Sequence, residues 1–171
     1  MRNTLSAPRR LAAAASAAAL GLTGLLTAAG PAQAAPAAVP TCTTGSLHLS
    51  MGRQDPGAGQ LYQPVRFTNT GTRSCALRGY PGVSVLDAAR RPIGAPATRS
   101  GAGYGTVTVR PGRTVTAVLH TTNGPIGGPC RPTGSYLRVY PPGSYRSVLV
   151  PTRYRVCSGV FQVSPVTSRS S

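Results

Sequence analysis

The chain has 171 residues, and its 18 basic residues are all arginine, set against only two carboxylates, Asp55 and Asp87. A formal charge of +16 on so acid-poor a chain excludes chemistry built on more than two carboxylates and argues against glycoside cleavage, whose paired acid and base would take both carboxylates the chain owns. The preference for Arg, beside 21 Gly and 17 Pro, reads as the codon bias of a high-G+C genome, but such a bias does not choose cations over anions.

The chain opens with a basic start (Arg2, Arg9, Arg10), an uncharged Ala/Leu-rich run over 11–29, and Ala32-Gln33-Ala34, which fits a small-x-small cleavage pattern. Residues 1–34 are therefore expected to be a cleaved signal peptide. The apolar run has about the length of a membrane span, yet it is rich in Ala and Gly and the cleavage signal follows directly. Arg9-Arg10 raises a twin-arginine route, although Leu-Ala-Ala follows rather than a fuller motif. No cysteine stands at the cleavage point, so no lipoprotein-type anchor is expected. The expected location is secreted, either extracellular or wall-associated. Beyond the leader we expect a short flexible linker over 35–41, one domain over 42–166 and a disordered tail over 167–171. The leader takes only three of the arginines with it, so the basic excess belongs to the domain.

Along the domain the period is two. Leu47, Leu49 and Met51 share a face in "SLHLSM", and Val65 and Phe67 share one in "PVRFTN". An apolar run follows at 83–86. Val107 and Val109 alternate with Thr, and Val115, Ala117 and Leu119 line one side of "TVTAVLH". In "YLRVY", Leu137 and Val139 point inward while Tyr136, Arg138 and Tyr140 point outward; further apolar runs lie at 148–150 and 160–163. Turn chemistry bounds each segment, for example Asn69-Thr70-Gly71, Pro111-Gly112 and Pro141-Pro142-Gly143. Tyr80-Pro81-Gly82-Val83 fits a type II turn with Gly82 at positive φ. The pattern predicts an all-β fold, an immunoglobulin-like β-sandwich of about seven to nine short antiparallel strands. Pro64 is expected at an edge or strand end, where a missing N–H does no harm.

Four cysteines, Cys42, Cys75, Cys130 and Cys157, follow the cleavage point, an even number in an exported chain, so the sandwich is expected to be disulfide-stapled. They permit three pairings. We favour Cys42 with Cys75 and Cys130 with Cys157, because each pair flanks a compact group of neighbouring strands. Metal binding is not expected, for there is no C-x-x-C and only His48 and His120 are available as further nitrogen ligands.

The segment "DPGAGQLYQPVRFTNTGTRSCALRGYPGVSVLD" resembles the hallmark of the actinobacterial domain-of-unknown-function family 4232. The resemblance runs from Cys42 through "RPG", Cys130, "LRVYPPG" and Cys157 to "FQVSP". It implies an exported, mainly β domain of the cell envelope or medium, and it brings no catalytic residues with it. Read physically, the stretch 69–87 is a folding element of turns, a bridged cysteine and a core strand. Its functional alternative is a loop presenting Arg73 and Arg78 to a ligand.

No catalytic residue is assigned. A serine nucleophile needs a base within reach, and both histidines stand on polar strand faces; no G-x-S-x-G occurs. Asp55 and Asp87 both lie in turn-like contexts that Asx capping explains. No cofactor is expected. The charge carries the functional content. Arg66, Arg110 and Arg138 fall on solvent faces, and "RSVLVPTRYRVC" adds Arg146, Arg153 and Arg155 with Tyr145 and Tyr154 nearby. Candidate anion-binding residues are Arg66, Arg138, Arg153 and Arg155 with Tyr136 and Tyr140, since guanidinium forks pair bidentately with phosphate or carboxylate. The expected partner is an anionic cell-wall polymer or a membrane surface. The alternative is a structural or protein-interaction module, an accessory subunit or inhibitor of another secreted protein. Nucleic acid is disfavoured for want of a recognition motif.

Overall fold

In the computed structural model, which describes residues 38–101 and 103–168, the alternating segments become strands, and no α-helix occurs among the described residues. The expected leader, the first residues of the linker and the end of the tail lie outside the described residues. The strands are β1 (Leu47–Met51), β2 (Asp55–Gly57), β3 (Gln60–Asn69), β4 (Cys75–Arg78), β5 (Gly82–Leu86), β6 (Thr98–Arg99), β7 (Thr106–Val109), β8 (Thr114–Thr122), β9 (Gly134–Tyr140), β10 (Val148–Tyr154) and β11 (Gln162–Val163). They form a six-stranded sheet in the order β1-β3-β8-β11-β6 with β2 also on β3, a three-stranded sheet β10-β9-β5, and a two-stranded ribbon β4-β7. The fold is all-β and sandwich-like.

Because successive side chains in a strand point to opposite faces, each alternating segment delivers one face to the core. Leu47, Leu49, Val65, Phe67, Val115, Ala117 and Leu119 enter it from the large sheet. Val83, Val85, Leu137, Val139 and Val150 enter from the small sheet, and Leu77 and Val109 from the ribbon. Each such side chain contributes roughly 1.5–3 kcal/mol of burial. The β3–β8 register sets Val65 against Ala117 and Phe67 against Val115. A slip of one residue would turn both faces inside out.

Several local expectations change. The strands among the described residues number eleven, because β2, β4 and β6 carry no alternation long enough to mark them. One pair, β6 with β11, is parallel. Its cause is the route of the chain after β5: Ile93 and Ala97 donate their N–H groups to Val85 and Val83 along the side of β5, and the chain then passes to the large sheet instead of turning back in a hairpin. Positive φ falls on Gly79 (+100°) and not on Gly82, which is the first residue of β5 and packs under the Tyr140 ring. Pro64 is not at a sheet edge but in the middle of β3, opposite Val118. Its carbonyl accepts from the Gly52 N–H at 2.7 Å, so its ring nitrogen faces the same side, between the pairings of β1 and β2, where no ladder bond is lost.

The bridges are Cys42–Cys75 and Cys130–Cys157. With partners separated by 33 and 27 positions in sequence, each contributes about 3–4 kcal/mol in the chain-entropy account. Pairing begins ahead of Cys42: Ala76 donates to the Pro40 carbonyl, and Thr41 bridges Ala76, both inside the stretch expected as linker. At the far end Thr167, in the expected tail, exchanges two backbone hydrogen bonds with Thr116.

Asn69 is completely buried, and every polar group it owns is used. Its side-chain Nδ2 donates to the carbonyls of Arg73 and Val109, both at 2.8 Å, and Oδ1 accepts from the Gly71 N–H at 2.9 Å. Its backbone N–H donates to Arg113 and its carbonyl accepts from Gly112. Asn69→Ala leaves three buried or half-buried groups unpaired, and we expect a loss of about 3 kcal/mol or more in urea unfolding; a loss below about 1 kcal/mol would contradict this assignment.

Tyr154 is the opposite case. It packs in the core against Phe161, with ring centroids 5.7 Å apart, and its hydroxyl has no hydrogen-bond partner among the described residues. Burial pushes its phenol pKa well above 10.0. A raised pKa stabilises the fold fully below the unfolded value and less as pH rises past it. Tyr154→Phe is therefore expected to match or exceed wild-type stability at neutral pH, by up to about 1 kcal/mol, and to resist alkali above pH 10 better. Thermal melts at both pH values check it, and a clear neutral-pH destabilisation would be inconsistent with an unpaired hydroxyl.

Candidate functional site

The outer face of the large sheet carries a row of polar side chains that the register brings together. Tyr62 on β3 stands opposite Asp55 on β2 and opposite His120 on β8; Gln162 on β11 stands opposite His120 on its other side. The Tyr62 and His120 rings stack, with centroids 4.7 Å apart and planes 14° from parallel. Both imidazole nitrogens are engaged, Nδ1 with the side-chain oxygen of Gln162 at 3.0 Å and Nε2 with that of Gln60 at 2.6 Å. The amide rotors let each glutamine present oxygen or NH2 as the tautomer requires. The imidazole is thus clamped, and it props Tyr62, which is 41% exposed.

Between this face and the loop joining β1 to β2 lies a cleft of about 600 Å³ lined by Arg53, Asp55, Tyr62, Arg66, Thr114 and Val118 among others. The loop is pinned. Gly52 lies on the Pro64 ring so closely that a Cβ there would come within 2.8 Å of it, and the Gln63 amide donates to the Gly52 carbonyl at 3.1 Å. Gln54 in turn donates to the Gln63 side chain at 3.3 Å.

The six candidate anion-binding residues do not form one patch. Tyr136, Arg138 and Tyr140 do share the outer face of β9, flanked in register by Ser84 on β5 and Leu149 on β10. Arg66 is not beside them: it belongs to β3 and looks outward from the large sheet, whereas β9 looks outward from the small one. Arg153, within the register shift of β10, and Arg155, beyond it, flank the inward-pointing Tyr154 and line a separate cleft of about 270 Å³ with Leu61, Thr122 and Asn123. Tyr154 itself is in the core and offers no ring at the surface.

Two groupings escaped sequence reasoning. One is the Tyr62–His120 stack with Arg53 in the cleft; both rings sit on outward strand positions, but only the β3–β8 register makes them neighbours. The other joins Arg78 and Arg99 to an edge-to-face pair of Tyr80 and Tyr104, each guanidinium 5.6 Å from a ring centroid. No sequence signal links residues so far apart.

Charge pairing is sparse. Asp87 and Arg91 form an ion pair at 2.9 Å, and Asp55 is in ion-pair contact with no arginine among the described residues, although it shares the cleft with Arg53 and Arg66. The described arginines other than Arg91 therefore have no carboxylate partner among the described residues. His48 is exposed on β1. Among the described residues no group of three His, Cys, Asp or Glu is placed to hold a metal ion, and no helix is long and apolar enough to cross a membrane.

A family model described as Domain of unknown function (DUF4232) matches residues 42–167. No curated protein matches the chain. Among solved structures, a selenomethionine-labelled β-glucosidase from Kluyveromyces marxianus is similar over 69% of this chain, at 15% identity and a TM-score of 0.36; the chain spans 14% of that protein's length.

The Asp87 carboxylate accepts from the Arg91 backbone N–H at 2.8 Å and from its guanidinium, which together hold it below the ordinary value of 3.8. A depressed carboxylate pKa contributes stability above the unfolded value and loses it as pH falls through the folded one. Asp87→Asn should accordingly be less stable than wild type at neutral pH, with the gap closing in acid well below pH 3.8. Urea midpoints of the two proteins across that range test it; a gap that persists in acid would mean the carboxylate charge plays no part.

Proposed function

We propose that this chain, which belongs to the domain-of-unknown-function family 4232 through residues 42–167, is a noncatalytic binding module exported to the cell envelope, where its arginines contact anionic wall polymers. The observation that supports the reading is the excess of arginines without carboxylate partners among the described residues. Each is a planar fork of donors suited to phosphate or carboxylate. The two disulfides suit an oxidising compartment outside the cytoplasm. An anionic membrane surface offers the same charges, and vesicles distinguish it from polymer.

A second reading, as an accessory subunit or inhibitor of another secreted protein, draws on the row Tyr136, Arg138 and Tyr140, since Tyr and Arg are enriched where protein interfaces concentrate their energy. Salt separates the two. Between about 0.1 M and about 1 M salt the screening length falls from about 10 to about 3 Å, so binding to immobilised teichoic-acid polymer should weaken steeply, while a packed protein interface should hold. Replacing Arg138, Arg153 and Arg155 together with Gln should lower polymer binding and flatten its salt dependence, with stability changed by about 0.5 kcal/mol or less at each site. Absence of polymer binding at low salt would overturn the first reading. Binding to phosphatidylglycerol vesicles but not to polymer would transfer it to the membrane surface.

A further inference from the structure

We propose that the cleft bounded by Arg53, Tyr62 and Arg66 is a binding site for a saccharide unit bearing an anionic group, a segment of acidic polysaccharide. The proposal rests on the polymer-binding reading and names the unit and the place.

The floor of the cleft is a built aromatic platform. One face of Tyr62 is covered by His120, whose two nitrogens are held by Gln60 and Gln162. The other face looks toward β2, where Asp55 stands in register and the cleft opens. A merely solvated strand face has no need of three polar side chains bracing one exposed phenol ring. An aromatic face carries partial negative charge and suits the C–H face of a sugar ring. Held in advance, it spares the entropy of ordering the ring on binding.

The same cleft is lined by two arginines from different elements, Arg53 from the pinned loop and Arg66 from β3, neither ion-paired with a carboxylate among the described residues. Asp55 and the Thr114 hydroxyl, in the same cleft, can meet sugar hydroxyls. The volume, about 600 Å³, is that of a small-molecule pocket. An aromatic floor, two cations against one carboxylate, and a hydroxyl describe a ring with an anionic charge on it, the carboxylate accepting from ring hydroxyls while the guanidinium pair meets the charge. Charge alone, as in polyphosphate, would leave the floor unused, and an uncharged glycan would leave both cations unused.

Titration calorimetry on the chain lacking residues 1–34, in salt high enough to suppress diffuse attraction, gives the test. The probes are polygalacturonate and phosphomannan, which carry carboxylate and phosphate on sugar rings, with polyphosphate and dextran as the charge-only and ring-only comparisons. Either charged glycan should bind more tightly than both comparisons, and which of the two binds identifies the anionic group. Tyr62→Ala should weaken that binding about tenfold, the weight of one good aromatic contact, leave polyphosphate unchanged, and be rescued by Tyr62→Phe. Gln162→Leu, which frees the prop without touching the cleft lining, should give a smaller loss of the same kind. Arg53→Gln, in a loop outside the core, should weaken both glycan and polyphosphate and guards against a Tyr62 variant that fails to fold. Equal binding of polyphosphate and charged glycans, indifferent to Tyr62, would remove this site while leaving a diffuse cationic surface. Dextran binding as tightly as the charged glycans would remove the anionic half of the proposal. Failure of every polyanion to bind even at low salt would take down the polymer reading itself.

Discussion

Asn69 sets where β3 stops, and through that the register in which β3 meets β8. Its amide holds the 71–73 turn on one side and the end of β7 on the other, while its backbone closes the connection from β7 into β8. One residue away, the hydroxyls of Thr68 and Thr114 meet at 2.8 Å as the first cross-strand pair. From there the ladder runs without a shift to Gln60 and Thr122. Everything that distinguishes the two faces follows: Val65, Phe67, Val115 and Ala117 fall inward, and six rows from Thr68 the Tyr62 and His120 rings fall side by side. A buried polar group is costly unless fully satisfied, and when satisfied it selects one arrangement among several that hydrophobic burial alone would tolerate.

How much of this was legible in the sequence depends on how far apart the cause and its effect lie. Long alternating strands such as β3, β8 and β9 could be read directly, since burial of one face imposes a period of two on neighbouring residues. The bridge pairs could be favoured because each closes a compact strand group. β6 could not be read, for its hydrogen bonds are supplied by a partner remote in sequence, and β2, which pairs with the nearby residues 60–62, lies in residues that read as a turn. Asn69 read as a turn residue tolerant of left-handed backbone, and the turn is indeed there, but the amide serves it through its side chain and from inside the core. Gly82 illustrates the same limit: it opens β5 beside Tyr140 and does not take the positive φ that its turn-like sequence suggests. The candidate site suffered most. Alternation places Arg66 and Arg138 on solvent faces, yet it does not say which sheet each strand joins, and the two end on opposite outer surfaces.

The charge imposes a cost that the architecture has to offset. Like charges with few partners repel more strongly in the folded chain than in the expanded one. The arginines are accordingly spread over both outer faces, the loops and the ends of the sandwich, with their hydrophobic reach spent on neighbouring rings, as with Arg78 over Tyr104 and Arg99 over Tyr80. The two disulfides act on the other side of the balance by limiting how far the unfolded chain can expand. A strongly cationic surface and a covalently stapled core are in this sense one solution.

The irregular course of β10 has a consequence of another kind. It is the outermost strand of its sheet, and an outermost strand offers its free backbone groups to any extended segment that drifts alongside. Pro151 has no N–H to give, the register breaks between Pro151 and Tyr154, and Arg153 stands exposed within the break. The opposite flank of that sheet is covered by residues 93–97 running along β5. Neither border of this sheet therefore presents a long, regular template, and copies of the domain that come to lie side by side gain no intermolecular β-structure through it.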